Sequence, residues 1–504
     1  MMFNYLFFNT ITMNTYTKQI ALFISVFTFF SLLFSCRQEA DNKTQTGMSF
    51  AQPDGKKVQI YLSSVNEDEM FVAQPDVVFK QDLETENQLI NIYPEMQYQK
   101  IIGIGGAFTE TSAYNFSLLS AASQQKLAEL YFGKSGIGIN LGRTHINSAD
   151  FSISEYTYTE DDDVDLKTFS IEREQQYVLP MIRMARKANP DLWFMASPWS
   201  PPAWMKSNHS FIRGGRLLPE YYPTYANYFA RYLEEFKKEG IDFFAVSVQN
   251  EPKAIQTWES CVWTGEEEGV FATNFLRPAL DKSGFKNTGI MIWDHNKERV
   301  LERAKESFSV PGADKAIWGV AFHWYSGEYF DNLRMTHELF PDKPLLATEF
   351  CVGGAIRPEE QNWRDVEQYA KDMIGNFNNF MAGSIEWNLI VDSKTGGPYH
   401  NRRGGCKAPV YVDAETKEFI LGSLYYTVGH FSKFVKRDAI RIGISSYNDS
   451  VKATAFLNPD GGIVVVVLNM GERDASAAKI RLNNCTADIK LPAKSLQTLI
   501  IPAQ

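Results

Sequence analysis

The chain has 504 residues, enough for one large barrel with a smaller domain beside it. Its residues are 44% hydrophobic and 14% aromatic, which can fill a sizeable core and also supply the tryptophan and tyrosine faces on which sugars stack. The formal net charge of −10 leaves no basic footprint and excludes nucleic acid as the natural partner.

Residues 1–36 read as a targeting segment. The apolar run from Ile20 to Phe34 is shorter than the roughly 20 residues a membrane-spanning helix needs. It runs into Leu33-Phe34-Ser35-Cys36, which resembles a bacterial lipobox. Cleavage before Cys36, lipidation of Cys36 and export as an outer-membrane lipoprotein are therefore expected. Glu39 and Asp41 add the sign of surface display, and the membrane is met through the lipid alone. Lys18 is the single positive charge upstream of the run, with Met13 a candidate start just before it. Residues 37–50 are polar and aperiodic, as a flexible tether would be.

Residues 51–96 contain short alternating strands, too few to fold alone. Residues 437–504 are similar: strands at 451–456 and 463–468 flank Pro459-Asp460-Gly461-Gly462, a hairpin signal. The two chain ends are expected to form one β-sandwich beside a central domain spanning 97–436.

In that central domain strand-like and helix-like segments alternate. Strands are expected at 102–108, 139–146, 192–197, 243–249, 289–293, 318–323, 345–349 and 384–388. Helices are expected at 121–132, 172–188, 220–238, 266–281, 298–307, 332–340, 364–380 and 419–435. This alternation is that of a (β/α)8 TIM barrel, whose chemistry sits where the strands end. Gly103-Ile104-Gly105-Gly106 lacks the third glycine and the helix opening of a dinucleotide fingerprint, so no nucleotide cofactor is expected. Cys261, Cys351, Cys406 and Cys485 show no CxxC and no zinc spacing, so no metal is expected. Export permits disulfides, but the sequence cannot choose their pairing.

The strand ends are rich in chemistry: Glu110, Arg143, Trp199, Asn250-Glu251, Asp294-His295, His323-Trp324-Tyr325, Glu349 and Glu386-Trp387-Asn388. Glu251 closes a buried apolar strand, and Pro252 stops that strand just after the acid. Glu349 closes Leu345-Leu346-Ala347-Thr348 in the same way. A strand-end glutamate can be a mere salt-bridge partner at a loop entrance. Two of them, on the fourth and seventh strands of a closed barrel, face each other across the mouth, and a facing carboxylate pair is what glycoside hydrolysis needs.

The motifs Gly103 to Thr109, Ala196-Ser197-Pro198-Trp199-Ser200-Pro201-Pro202-Ala203-Trp204, Asn250-Glu251-Pro252, His323-Trp324-Tyr325, Glu349-Phe350-Cys351-Val352-Gly353, Trp387-Asn388-Leu389 and Gly429 to Phe434 occur in this order. With them the chain resembles glycoside hydrolase family 30 from about Tyr98 to its C-terminus. The resemblance implies a barrel with an attached β-domain, no cofactor or metal, and retention of anomeric configuration. It implies Glu251 as general acid/base and Glu349 as nucleophile. Asn250 would meet the sugar 2-hydroxyl, and Arg143 and Tyr325 would orient Glu349 and hold it ionised. Trp199 and Trp387 would line the terminal-sugar pocket, Glu110 would accept from its hydroxyls, and His323 would brace the site. The acid is expected to keep its proton through burial or a neighbouring negative charge.

The chain departs from glucosylceramidases of the family at Glu110 and Glu386, where those carry aspartate, and in the loops 256–263 and 396–405. These loops should build the leaving-group side, and bacterial relatives with a loop like 256–261 include β-1,6-glucanases. The expected activity is a retaining endo-β-1,6-glucanase acting on β-glucan. The alternatives are an exo-acting β-glucosidase or glucosylceramidase and, in another class, a non-catalytic surface glycan-binding lipoprotein.

Overall fold

The computed structural model describes residues 52–65, 69–85, 87–360, 362–400, 405–475 and 477–503. The expected signal segment, the Cys36 lipidation site and the tether lie outside the described residues. Among the described residues, no helix is long and apolar enough to cross a membrane.

Among the described residues, four strands precede the barrel: β1 (Lys57–Ser64), β2 (Glu69–Val78), β3 (Lys80–Gln81) and β4 (Leu89–Lys100). The barrel strands are β5 (Gly103–Ala107), β6 (Leu141–Ile146), β7 (Trp193–Pro198), β8 (Phe243–Ser247), β9 (Gly289–Asn296), β10 (Gly319–His323), β11 (Leu345–Phe350) and β12 (Met381–Glu386). They close in the order β10-β11-β12-β5-β6-β7-β8-β9, and all neighbours are parallel. Leu141, Met195, Ala245, Met291, Ala321, Leu346 and Ile385 point inward and fill the barrel, so it is a packed core rather than a channel. The glycine run lies in β5, where a Cβ on Gly105 would come 1.8 Å from the Leu141 carbonyl oxygen. These glycines permit close strand packing.

Each expected barrel strand is present. The eighth lies earlier than expected, at Met381–Glu386, and leaves Trp387 and Asn388 in the loop beyond it. The helix expected to start at 419 starts at Ser423 instead. Residues Glu418–Leu421 are a strand, β15, paired antiparallel with β14 (Val410–Asp413), which in turn pairs with β13 (Ile390–Asp392). Pairing across the intervening turn satisfies backbone groups that the periodicity alone assigned to a helix.

Strands β16 (Ile440–Ser445), β17 (Val451–Leu457), β18 (Ile463–Asn469), β19 (Lys479–Leu482), β20 (Cys485–Asp488) and β21 (Ser495–Ile501) complete the sandwich with β1 to β4. The strand order β2-β1-β21-β18-β17-β16-β4-β19-β20-β3 interleaves the two chain ends. Strand β18 explains its own unbroken apolar run. Val465 and Val467 enter the sandwich core, whereas Val464, Val466 and Leu468 face the barrel's core. Buried His430, on the helix Ser423–Ser432, bonds Ser63 on β1 and Thr498 on β21, both at 2.9 Å, and so ties the last barrel helix to the sandwich.

Candidate active site

The C-terminal ends of β8 to β11 are irregular where the site forms. Register shifts fall at Ala321/Phe322, Phe322/His323 and Ala347/Phe350, and the second brings His323 opposite Glu349. Such bulges re-aim side chains at a barrel rim. Glu251, Trp293 and Asp294 have positive φ (48°, 72° and 49°), a conformation that costs roughly 1–3 kcal/mol each and is kept only where surroundings impose it. Here the imposing contacts are visible. Asn250 N donates to the Pro198 carbonyl at 2.8 Å and Glu251 N to the Asp294 carbonyl at 2.9 Å.

Arg143 organises the centre from β6 and is fully buried. Its Nη1 donates to Glu349 Oε2 at 2.8 Å and to the Thr348 carbonyl at 3.1 Å. Its Nη2 donates to Asn250 Oδ1 at 2.8 Å and to Asp294 Oδ2 at 3.0 Å, and its Nε to Ser197 Oγ at 3.2 Å. Every guanidinium hydrogen thus has an acceptor. Tyr325 Oη donates to Glu349 Oε1 at 2.8 Å, so both nucleophile oxygens are held.

Asp294, a polar strand end in the sequence, is the hub of the site. It accepts from Arg143, from Ser197 Oγ at 2.8 Å and Ser247 Oγ at 2.5 Å, and from Thr348 Oγ1, and it lies 3.0 Å from His323 Nε2. Burial opposes its charge, but Arg143, His323 and Ser247 hold its carboxyl far below the usual range. The other ring nitrogen, His323 Nδ1, is 3.4 Å from Glu251 Oε1, and His295 Nε2 is 3.8 Å from the same oxygen.

This arrangement corrects the expectation for the acid. Burial pushes the Glu251 carboxyl up, but His295 and His323 pull it down further, to about 2. Burial favours neutral His323, yet Glu349, Asp294 and Glu251 outweigh it and raise the imidazole to about 9. In the free enzyme, then, the proton of the Glu251–His323 pair rests on the imidazole.

A carboxylate oxygen of Glu251 and one of Glu349 lie within 4.8 Å of each other, with a His323 nitrogen equally close. These three side chains are the one group among the described residues whose donor atoms could converge on a metal ion. They do not fit one. The Arg143 guanidinium already sits 2.8 Å from Glu349, and a second cation would face it inside a buried site.

Trp199 and Trp387 stack at 5.0 Å and 22°, both almost wholly covered, and the Arg143 guanidinium lies 4.7 Å from the Trp199 ring centre. Trp387 Nε1 is buried without a hydrogen-bond partner, a donor left for a ligand. Glu110 is engaged inside the protein. One oxygen pairs with Arg173 at 2.9 Å and the other accepts from Ile153 N at 2.8 Å, so a sugar hydroxyl would share an occupied oxygen. Glu386 is buried beside Tyr369, and burial raises its carboxyl well above the ordinary value.

Residues of the loops 256–263 and 396–405 meet at this mouth. Trp258 and Tyr399, one from each, pack in a cluster with Phe151, Trp199 and Trp387. The second loop is stapled to the end of β11 by a disulfide between Cys351 and Cys406, with Cα atoms 5.9 Å apart, which leaves Cys261 and Cys485 as buried thiols. A cavity of about 750 Å³ opens beside Tyr325, between the loop after β10 and the helix Trp363–Asn378. Glu328, Arg364, Glu367, Gln368 and Lys371 line it.

A closed parallel barrel whose mouth carries two carboxylates within reach of one bond, one of them gripped by arginine and tyrosine, is the site of a glycoside hydrolase. Residues 101–435 match the glycosyl hydrolase family 30 TIM-barrel domain and residues 438–499 the family's β-sandwich domain. The chain belongs to glycoside hydrolase family 30 and is a β-glycosidase of that family. It is 33% identical to the lysosomal acid glucosylceramidase of Mus musculus over 404 residues, 77% of this chain and 78% of that one. Among solved structures it is similar to SrfJ from Salmonella typhimurium (35% identity, TM-score 0.85) and to the endo-β1,6-glucanase BT3312 (30% identity, TM-score 0.79). Each comparison covers 89% of this chain and 100% of the other.

Proposed function

We propose that the protein is a retaining endo-β-1,6-glucanase. Retention rests on one observation, the approach of the Glu251 and Glu349 oxygens to within 4.8 Å. Double displacement needs carboxyl groups about 5–5.5 Å apart, whereas inversion needs roughly 6.5–9.5 Å to admit water between them. Glu349, oriented by Arg143 and Tyr325, attacks the anomeric carbon and forms a glycosyl ester. The leaving oxygen takes a proton from the Glu251–His323 pair. Substrate that excludes water from this pair makes the separated charges costlier and moves the proton from His323 Nδ1 to Glu251. Once Glu349 is esterified, the same pair takes a proton from water as it attacks the ester. Asn250, whose oxygen is turned to Arg143, presents its amide nitrogen to the sugar 2-hydroxyl, a contact that strengthens in the transition state.

A second cavity, beside Tyr325 and apart from the loops 256–263 and 396–405, supports a sugar as leaving group. Its lining is mostly charged and amide, with Trp324 and Val352 as apolar members, and suits the hydroxyls of a continuing sugar chain better than a ceramide. Similarity to the endo-β1,6-glucanase BT3312 over the whole of that chain supports the same substrate. A second reading, an exo-acting glucosylceramidase, is favoured by the 33% identity to the mouse enzyme. Incubation with linear β-1,6-glucan, with products resolved over time, separates the two. Mixed oligosaccharides at early times are expected. Glucose alone, or no release, would remove the endo-glucanase reading.

A further inference from the structure

His400, which follows β13, touches two other loops at the mouth. Its Nδ1 lies 2.8 Å from the Ser152 carbonyl, in the loop after β6, and its Nε2 lies 2.9 Å from Glu259 Oε1, in the loop after β8. A carbonyl and a carboxylate both accept, so both ring nitrogens carry hydrogen and the imidazole is a cation. Tyr399 beside it packs on Phe151 at 5.6 Å, and Phe151 packs on Trp387 at 5.9 Å. The clasp therefore sits directly behind the stacked tryptophans.

Glu259 is the unexplained member. It is 2% exposed, His400 takes one of its oxygens, and the other, Oε2, is buried with no hydrogen-bond partner. Such an oxygen costs roughly 1–3 kcal/mol unless something fills it. Low exposure does not remove it from substrate, because Glu349 is itself only 7% exposed. The loop that carries it also carries Gln256, whose Nε2 is 3.5 Å from Glu251 Oε2.

We propose that Glu259 is a specificity-determining residue that accepts a hydroxyl of the bound glycan through Oε2, and that His400 is the positioning residue that holds it in place by clasping three loops together. This rests on the glycoside hydrolase reading of the site and not on the β-1,6 linkage. Among the described residues, the charged groups facing His400 are Glu259 and Glu155. Burial favours its neutral form, but the hydrogen bond and charge of Glu259, the Ser152 carbonyl and Glu155 outweigh it and raise the imidazole to about 9. The clasp is thus complete below its ordinary titration range and is lost as pH rises through about 9.

The test measures KM and kcat between about pH 6 and pH 10 on soluble β-1,6-glucan and on an aryl β-glucoside, for wild type, Glu259→Gln and His400→Gln. A charge-assisted hydrogen bond lost on binding corresponds to roughly a tenfold rise in KM or more, and Glu259→Gln should show it with a smaller change in kcat. His400→Gln should raise KM similarly at neutral pH. Its KM relative to wild type should then fall towards one above about pH 9, where wild type loses its own cation. A Glu259→Gln KM within about twofold of wild type, or a relative KM of His400→Gln that does not change with pH, overturns the proposal. If His400→Gln does not fold, a wild-type KM that stays level through pH 9 overturns it instead. Turnover of the aryl glucoside without turnover of β-1,6-glucan refutes the proposed substrate and leaves the clasp to be judged on the glucoside. Turnover of neither refutes both, since the hydroxyl contact supposes a glucosyl ligand.

Discussion

Replacing Arg143 by lysine keeps the positive charge at the centre of the site and removes the fork. The guanidinium is fully buried and spends its five hydrogens on Ser197, Thr348, Glu349, Asn250 and Asp294. An ammonium has three hydrogens on a single nitrogen, so at least two of those acceptors stay unpaired. Each buried acceptor left alone costs roughly 1–3 kcal/mol, which sets the expected loss of stability at about 2–6 kcal/mol. The larger penalty for an uncompensated buried charge does not apply, because the charge remains. Urea denaturation followed by tryptophan fluorescence measures the loss. Activity should fall further than stability alone implies, because Glu349 and Asn250 lose the donor that sets their relative position. A misplacement of about 1 Å in a reacting group costs on the order of 100-fold in rate. A stability change under about 1 kcal/mol together with kcat/KM within about tenfold of wild type would refute the assignment of Arg143 as the organising group.

Glu349→Gln should abolish formation of the glycosyl-enzyme, seen by mass spectrometry with a slow-hydrolysing activated fluoro-sugar. Glu251→Gln should lose turnover of glucan but still form that adduct, because an activated leaving group needs no proton. Equal failure of both variants at the adduct step would reverse or void the roles. The pH profile follows from the shared proton. Glu251 is held down at about 2 and His323 raised to about 9, so the pair carries one proton throughout the range between. The stability due to Glu251 is present above its ordinary carboxylate range and lost as pH falls towards 2. That due to His323 is present below its ordinary imidazole range and lost as pH rises through 9. The kcat/KM of wild type on a small glucoside should therefore keep its proton donor to about pH 9 and decline above it. His323→Gln should shift that limb, and an alkaline limb centred below about pH 7 in wild type would show that the proton is not shared in this way.

The barrel was legible because each of its strands is a short, buried, apolar segment bounded by turns, and that pattern is local. The eighth strand came out displaced, since in 381–388 Gly383 and Ser384 interrupt the apolar residues while Trp387 extends them past Glu386, and no alternation marks either end. The helix expected from 419 failed for a different reason, because Phe419 and Ile420 are decided by their partners on β14. Glu251 and Glu349 were legible because an ionisable group at the end of an apolar strand contradicts packing. Asp294 was visible as a strand-end acid, but its role was not, since that role consists of five other strands delivering Arg143, Ser197, Ser247, His323 and Thr348 to one carboxylate.

By itself the sequence determined the fold class, the family and the identity of the facing carboxylates, because periodicity and motif are properties of neighbouring residues. Only the tertiary structure decided the separation of Glu251 and Glu349, the choice of Cys351 and Cys406 as partners, the clasp between His400 and Glu259, and the resting place of the acid's proton. Each of these depends on distances between groups far apart in the chain. The proton shows why most clearly: burial alone would keep it on Glu251, and two imidazoles from neighbouring strands reverse that preference.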